Sequence, residues 1–150
     1  MKKAVILFIC CLACLYAHGQ NKRALDSLMN IYKTTKYDTV KIFTLGNIAI
    51  QYRGSKPDTC IMLAQKALEQ SEKNNFQLGK ASSLSIIGTA YQSQANYTVA
   101  LAYYQKSLQI FTESKNKKGI ANILGNIGFV YKDQSNYPLA LEYYQKSLRM

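Results

Sequence analysis

Chemistry in a protein of this size usually starts from histidine, cysteine or paired carboxylates, and these 150 residues hold one histidine, four cysteines and eight acids. The histidine is His18, and Cys10, Cys11 and Cys14 crowd into the same opening stretch, leaving Cys60 alone. That stretch, MKKAVILFICCLACLYAHG, has Lys2 and Lys3, an apolar run from Ala4 to Ala17, and small residues at Ala17 and Gly19. This is the plan of a signal peptide over residues 1–19, with cleavage before Gln20 and an exported, periplasmic or extracytoplasmic product. The apolar run of 14 residues is too short to read as a membrane-crossing helix. Cleavage leaves no histidine and a single cysteine. Serine–histidine and cysteine–histidine catalysis, histidine-containing zinc sites and an internal disulfide are then excluded.

The remaining chemistry is equally thin. Leu12-Ala13-Cys14 is an imperfect lipoprotein cleavage box, with Cys11 where leucine belongs, so lipid attachment at Cys14 is the secondary reading. Sugar-cleaving chemistry needs two carboxylates across a cleft, about 5–9.5 Å apart. Here the acids are scattered, and Glu69 and Glu72 stand one turn apart beside Lys73, as on a wetted helix end. No G-x4-G-K-S/T loop is present to cradle phosphate. We expect no enzyme, no metal, no cofactor and no small-molecule substrate. The formal charge of +11 falls to +9 without residues 1–19, but the cations run along the whole chain. Their densest group, Lys115, Lys117 and Lys118, falls where a turn is predicted and reads as solvated, so no nucleic-acid partner is expected.

What the sequence does carry is repetition. Asn96–Leu108 reads NYTVALAYYQKSL and Asn136–Leu148 reads NYPLALEYYQKSL; over Ala81–Ile110 and Ala121–Met150, 16 of 30 positions are identical at an offset of 40. Within a copy the apolar spacing is helical: Leu124, Ile127, Gly128 and Tyr131, then Ala140, Leu141, Tyr144 and Leu148. Asn96 and Asn136 are placed as N-caps between two helices, and Pro138 follows at an early helical position where a missing amide hydrogen costs little. A third copy has Leu45, Ile48 and Tyr52, a Ser55-Lys56-Pro57-Asp58 turn, then Ile61, Ala64, Ala67 and Leu68. Three helical hairpins are predicted, at about 39–74, 76–114 and 116–150. Residues 20–38 precede them and contain a covering helix with Leu25, Leu28, Met29 and Tyr32 on one side.

The pattern L-x2-I-G-x2-Y followed by A-x3-Y resembles the tetratricopeptide repeat. It is carried by Leu124, Ile127, Gly128, Tyr131, Ala140 and Tyr144 in one copy and by Leu84, Ile87, Gly88, Tyr91, Ala100 and Tyr104 in another. The Leu45–Leu68 copy matches loosely, with Ala49 for the glycine, Cys60 for the alanine, Ala64 for the aromatic residue and a turn one residue shorter. The familiar repeat has a period of about 34 and a proline ending its second helix. Here Thr112 stands at that place and the period is 40, so the second helix is predicted to run on. In this the chain resembles the longer variant seen in kinesin light chains and bacterial regulatory proteins. HEAT-type repeats share the period but not the Gly-x2-Tyr and Ala-x3-Tyr spacing. The resemblance implies an all-α fold, a right-handed superhelical solenoid of antiparallel helical hairpins. Stacking of this kind lets each hairpin cover the apolar face of the next.

The resemblance also implies a concave groove lined by the first helices, taking a peptide or partner protein. By register the groove positions are Asn47, Ile50 and Arg53; Ser85, Thr89 and Gln92; and Asn122, Asn126, Phe129 and Lys132. Amide side chains both donate and accept, which suits a peptide backbone. The plainer reading is that these asparagines cap or bridge helices and that Phe129 only packs. Among the twelve tyrosines, Tyr104 and Tyr144 are read as core and Tyr103 and Tyr143 as half-exposed packing, each with a solvated hydroxyl. The last helix has no following cap, so further repeats, a membrane helix or an output domain are expected after Met150 or a partner over that end. Such an array behind a signal sequence also resembles the sensory halves of bacterial signalling proteins, and that resemblance implies the alternative function: the N-terminal sensory or ligand-binding region of a longer protein with a histidine kinase, nucleotide cyclase or DNA-binding output.

Overall fold

A computed structural model of the chain describes residues 22–150. The signal-peptide reading of residues 1–19, with Cys14 and His18, lies outside the described residues. Among the described residues seven helices follow one another: α1 (22–34), α2 (Asp38–Tyr52), α3 (Pro57–Lys73), α4 (Gln77–Ser93), α5 (Tyr97–Glu113), α6 (Lys117–Asp133) and α7 (Tyr137–Leu148). Among the described residues there is no strand, and no helix is long and apolar enough to cross a membrane. The fold is an all-α repeat solenoid in which α2–α3, α4–α5 and α6–α7 are the hairpins.

The 40-residue period divides into two nearly equal parts. Helices α4, α5 and α6 each have 17 residues and are joined by three-residue turns. The second helix does run on through Thr112, whose hydroxyl donates to the Leu108 carbonyl at 2.8 Å, and the first helix is just as long. The stops of α3, α4, α5 and α6 are made in the same way. Asn75, Ala95, Lys115 and Ser135, spaced 20 apart, take left-handed φ values of 52° to 61°. The following amide then reaches back, as in Asn96 N to Tyr91 O at 2.9 Å, and the left-handed residue's own amide bonds the carbonyl three back, as in Ala95 N to Gln92 O at 2.9 Å. Asn96, Asn116 and Asn136 thereby close one helix and open the next, their side-chain oxygens accepting from Val99, Gly119 and Leu139 N. The α2–α3 turn has no left-handed residue, and Pro57 starts α3 instead.

The second helices α3 and α5 each lie between two first helices. Around α5, Ala100, Tyr104 and Phe111 share one core cluster with Ala81 of α4 and with Ile123, Ile127 and Val130 of α6. Around α3, Cys60 and Ala64 join Ala49 of α2 and Ile87 and Ala90 of α4. Burying side chains such as Ile123, Ile127 and Val130 stabilises by about 1.5–3 kcal/mol each, and that stabilisation belongs to the junction between hairpins. Two serine hydroxyls tie a second helix to its own first helix: Ser107 Oγ donates to Ala81 O and Ser147 Oγ to Ala121 O, both at 2.8 Å. Glycine is used for close approach rather than at the left-handed turns. A Cβ on Gly88 would lie 2.9 Å from the Tyr104 ring, and one on Gly119 would lie 2.3 Å from the Phe111 ring.

The ends are less covered. Tyr32 of α1 packs on the Ile42, Leu45 and Ala67 cluster, and Leu25 and Leu28 are half-buried. Met29, predicted to cover the first hairpin, is instead 39% exposed. At the other end, Leu141 and Leu148 of α7 are exposed, whereas their counterparts Leu101 and Leu108 on α5 are half-buried against the α6 cluster.

Two outcomes test the turn and glycine assignments. Ala95→Gly, Lys115→Gly and Ser135→Gly should each raise the urea midpoint, by about 0.5–1 kcal/mol of stability, because glycine adopts left-handed backbone without a Cβ penalty. Gly119→Ala should lower it by about 1–3 kcal/mol through overpacking on Phe111.

Candidate functional site

The first helices run side by side, and α4 forms the floor of a trough between α2 and α6. Ser82, Ser85, Ile86, Thr89, Gln92 and Ser93 make a single stripe of α4, at the three-and-four spacing of one helix face. Three adjoining clefts of about 250, 390 and 470 Å³ share these residues and lie between the helices. Phe43, Asn47 and Ile50 line one wall, with Arg53 just past the end of α2. Asn122, Asn126, Phe129 and Asp133 line the other. The trough therefore brings together Asn47, Arg53, Ser85, Thr89, Gln92, Asn122, Asn126 and Phe129 from the residues the sequence singled out.

Lys132 is not among the cleft-lining residues. Its ammonium stands 5.2 Å from the Phe129 ring centre and 4.0 Å from an Asp133 oxygen, so its local contacts already engage it. Thr89 and Gln92 line the trough but are bound into the framework. Thr89 Oγ1 donates to Ser85 O at 2.8 Å; the Tyr104 hydroxyl lies 3.1 Å from Thr89 Oγ1 and donates to Gln92 Oε1 at 2.9 Å. Gln92 Nε2 then donates to Asp133 Oδ2 at 2.8 Å, which links the second hairpin to the third. The expectation of a solvated Tyr104 hydroxyl is thus corrected: the residue is fully buried, and burial raises its pKa, with the Thr89 bond and Arg53 opposing. In the third copy Phe129 and Lys132 replace Thr89 and Gln92, and the buried Tyr144 hydroxyl has no hydrogen-bond partner among the described residues. Phe129 meets the Tyr144 ring edge-on at 5.5 Å instead.

What remains for a ligand is amide and apolar surface, with the Arg53 guanidinium at one end. Asn47 and Asn122 are exposed and Asn126 is half-buried; no side-chain hydrogen bond engages them among the described residues. Ile50 and Phe129 are 39% and 49% exposed. Ile86 stands where Asn47 and Asn126 stand in their copies, so the middle of the trough is apolar where its two walls offer amides. The register alone could have placed Ile86 there. Asp133 carried no such signal, since its role depends on Gln92 reaching across from the neighbouring hairpin.

Among the described residues no cysteine or histidine lines the trough. Cys60 is fully buried in the α3 core, and burial pushes its thiol up to about 11, partly offset by Arg53, which leaves little thiolate at neutral pH. Among the described residues no three histidine, cysteine or acidic side chains gather as metal ligands. Gln94 Nε2 donates to Asp58 Oδ1 at 2.7 Å, which joins hairpin to hairpin at the Arg53 end, while Ser93 Oγ is 2.7 Å from Ala90 O of its own helix and 3.1 Å from Arg53 O. Chemically, the site can hold a chain of mixed polar and apolar character.

Comparison with known proteins agrees with this geometry. The family model for the tetratricopeptide repeat matches residues 41–113 and, overlapping them, residues 79–150. No curated protein sequence matches the chain. The two matches fall on the stacked hairpins and together span well over half of the sequence: the chain belongs to the tetratricopeptide repeat family.

Proposed function

We propose that the protein is a non-catalytic interaction module whose trough along α4 takes an extended segment of a partner protein. Repeats of this family generally mediate protein–protein interaction and are typically non-catalytic. The observation that supports the finer reading is the division of labour in the trough. Thr89 and Gln92 are held by Tyr104 and Asp133, so the floor is rigid, while Asn47, Asn122 and Asn126 keep amides available on both walls. A peptide backbone can exchange hydrogen bonds with such amides, and the Ile50, Ile86 and Phe129 surface takes alternate apolar side chains. From Ser82 to Ser93 the floor is about 16 Å long at 1.5 Å per helical residue, which accommodates about five extended residues at 3.3 Å each.

Residues 1–19 motivate a second proposal, that the module works outside the cytoplasm after cleavage before Gln20. Expressed with its natural leader, the protein should yield a mature N-terminus beginning at Gln20; an intact Met1 in the secreted or membrane fraction would contradict export by this route.

Site-specific photo-crosslinking tests the trough. A benzophenone side chain at Ser85 should capture a partner that the same group at Gln105, on the outer helix α5, does not. The Asn47→Ala, Asn122→Ala, Asn126→Ala triple variant should reduce that capture at least tenfold. Equal capture from both positions, or an unchanged yield in the triple variant, would remove the trough as the binding site.

A further inference from the structure

The two edges of the solenoid differ in charge. One edge carries the turns that join successive hairpins, together with the end of α1 and the first turns of α2, α4 and α6. It consists of residues 33–41, 72–80 and 112–120, which hold eight lysines against Asp38, Glu72 and Glu113, a net of +5. The opposite edge, residues 50–58, 90–98 and 130–138, is equally long and holds three cations against two acids, a net of +1. Along the chain these lysines look dispersed. The hairpin topology collects them, because every second turn returns to the same side.

On the basic edge Lys80 pairs with Glu72 at 3.4 Å, and no other ion pair among the described residues engages its lysines. Glu113 accepts instead from Gln109 Nε2 at 2.8 Å. Lys33, Lys41 and Lys73, from three different helices, surround one cleft of about 470 Å³ together with Asp38, Gln70 and Asn74. Like charges held within about 10 Å repel at moderate salt, so this grouping favours an anionic occupant. Exposed apolar groups lie among the lysines: Tyr37 is 73% exposed and Leu78 38%. Phosphates of a nucleic acid would leave those groups uncovered. A bilayer surface spreads over an edge but does not enter a recess between helices. A polypeptide can place carboxylates, backbone and apolar side chains in turn.

We propose that this edge docks an acidic, extended protein segment, its carboxylates in the Lys33, Lys41 and Lys73 cleft and its continuation against Lys115, Lys117 and Lys118. With adjacent helices about 8–10 Å apart, the step from α3 to α5 is about 20 Å, which six or so extended residues span. The surface is separate from the trough, and either can stand without the other.

The test uses the chain from Gln20 to Met150 and a fluorescent 14-residue peptide of glutamates with leucine at every fourth position, compared with the same peptide carrying glutamine for glutamate. The glutamate peptide should bind, weaken at least tenfold between 50 and 250 mM salt, and weaken at least tenfold in the Lys41→Gln, Lys73→Gln, Lys117→Gln, Lys118→Gln variant. The Arg53→Gln, Lys56→Gln variant of the opposite edge and the Asn122→Ala, Asn126→Ala variant of the trough should bind within twofold of the parent. Amide shift mapping on the unmutated chain should place the peptide at residues 33–41, 72–80 and 112–120, a readout independent of how the lysine variant folds. Equal binding of the two peptides, unchanged binding in the lysine variant, or shifts concentrated on the trough stripe of α4 at residues 82–93 would overturn the proposal. So would retention by phosphatidylserine vesicles or duplex DNA with no binding of the glutamate peptide.

Discussion

Everything in this molecule depends on a second helix needing two first helices. The α5 residues Ala100, Tyr104 and Phe111 are buried only because α4 covers one side and α6 the other, and α3 stands in the same relation to α2 and α4. A hairpin by itself would leave the side facing its neighbour in water. The repeat is therefore a thermodynamic requirement, and neighbouring hairpins supply the stabilisation that none has alone. The trough and the two edges are geometric consequences of the same stacking, since it fixes the first helices side by side and returns alternate turns to one side.

The turns show how little sequence is needed to enforce that geometry. A helix of 17 residues followed by a three-residue turn repeats through α6, and the stop is written by backbone hydrogen bonds more than by residue type. Alanine, lysine and serine occupy three of the four left-handed positions, where glycine would be easier. The described glycines are placed elsewhere: Gly88, Gly119 and Gly128 let aromatic rings pack against helical backbone. Asparagine does double duty in three turns, which accounts for its recurrence at positions 96, 116 and 136.

Much of this fold was legible because hydrophobic period and repeat period are properties of the chain itself. Leu124, Ile127, Gly128 and Tyr131 announce a helix wherever they occur, and their recurrence after 40 residues announces a stack. The asparagine caps were equally readable at Asn96 and Asn136, since the cap is a local device. Three features were not local, and spacing along the chain could not reveal them. Tyr104 reaches Gln92, and Gln92 reaches Asp133 in the next hairpin, so neither amide nor hydroxyl is free in the way register alone suggested. Lys132 shares its copy's groove register but turns to Phe129 and Asp133. Lys33, Lys41 and Lys73 are eight and thirty-two residues apart in sequence and meet around one cleft. What engages or surrounds each of these groups is set by how the helices pack, and only the folded chain names it.

The dependence of one hairpin on the next can be measured directly by hydrogen exchange in the intact chain carrying Ile123→Ala. Ile123 belongs to α6 and so to the third hairpin, but it is buried in the cluster that covers α5. Exchange should accelerate in α5, across the hairpin boundary, as well as in α6, with α2 and α3 least affected. Acceleration confined to α6 and α7, with α5 as protected as in the parent chain, would mean that each hairpin holds itself together and that stacking is not what stabilises the fold.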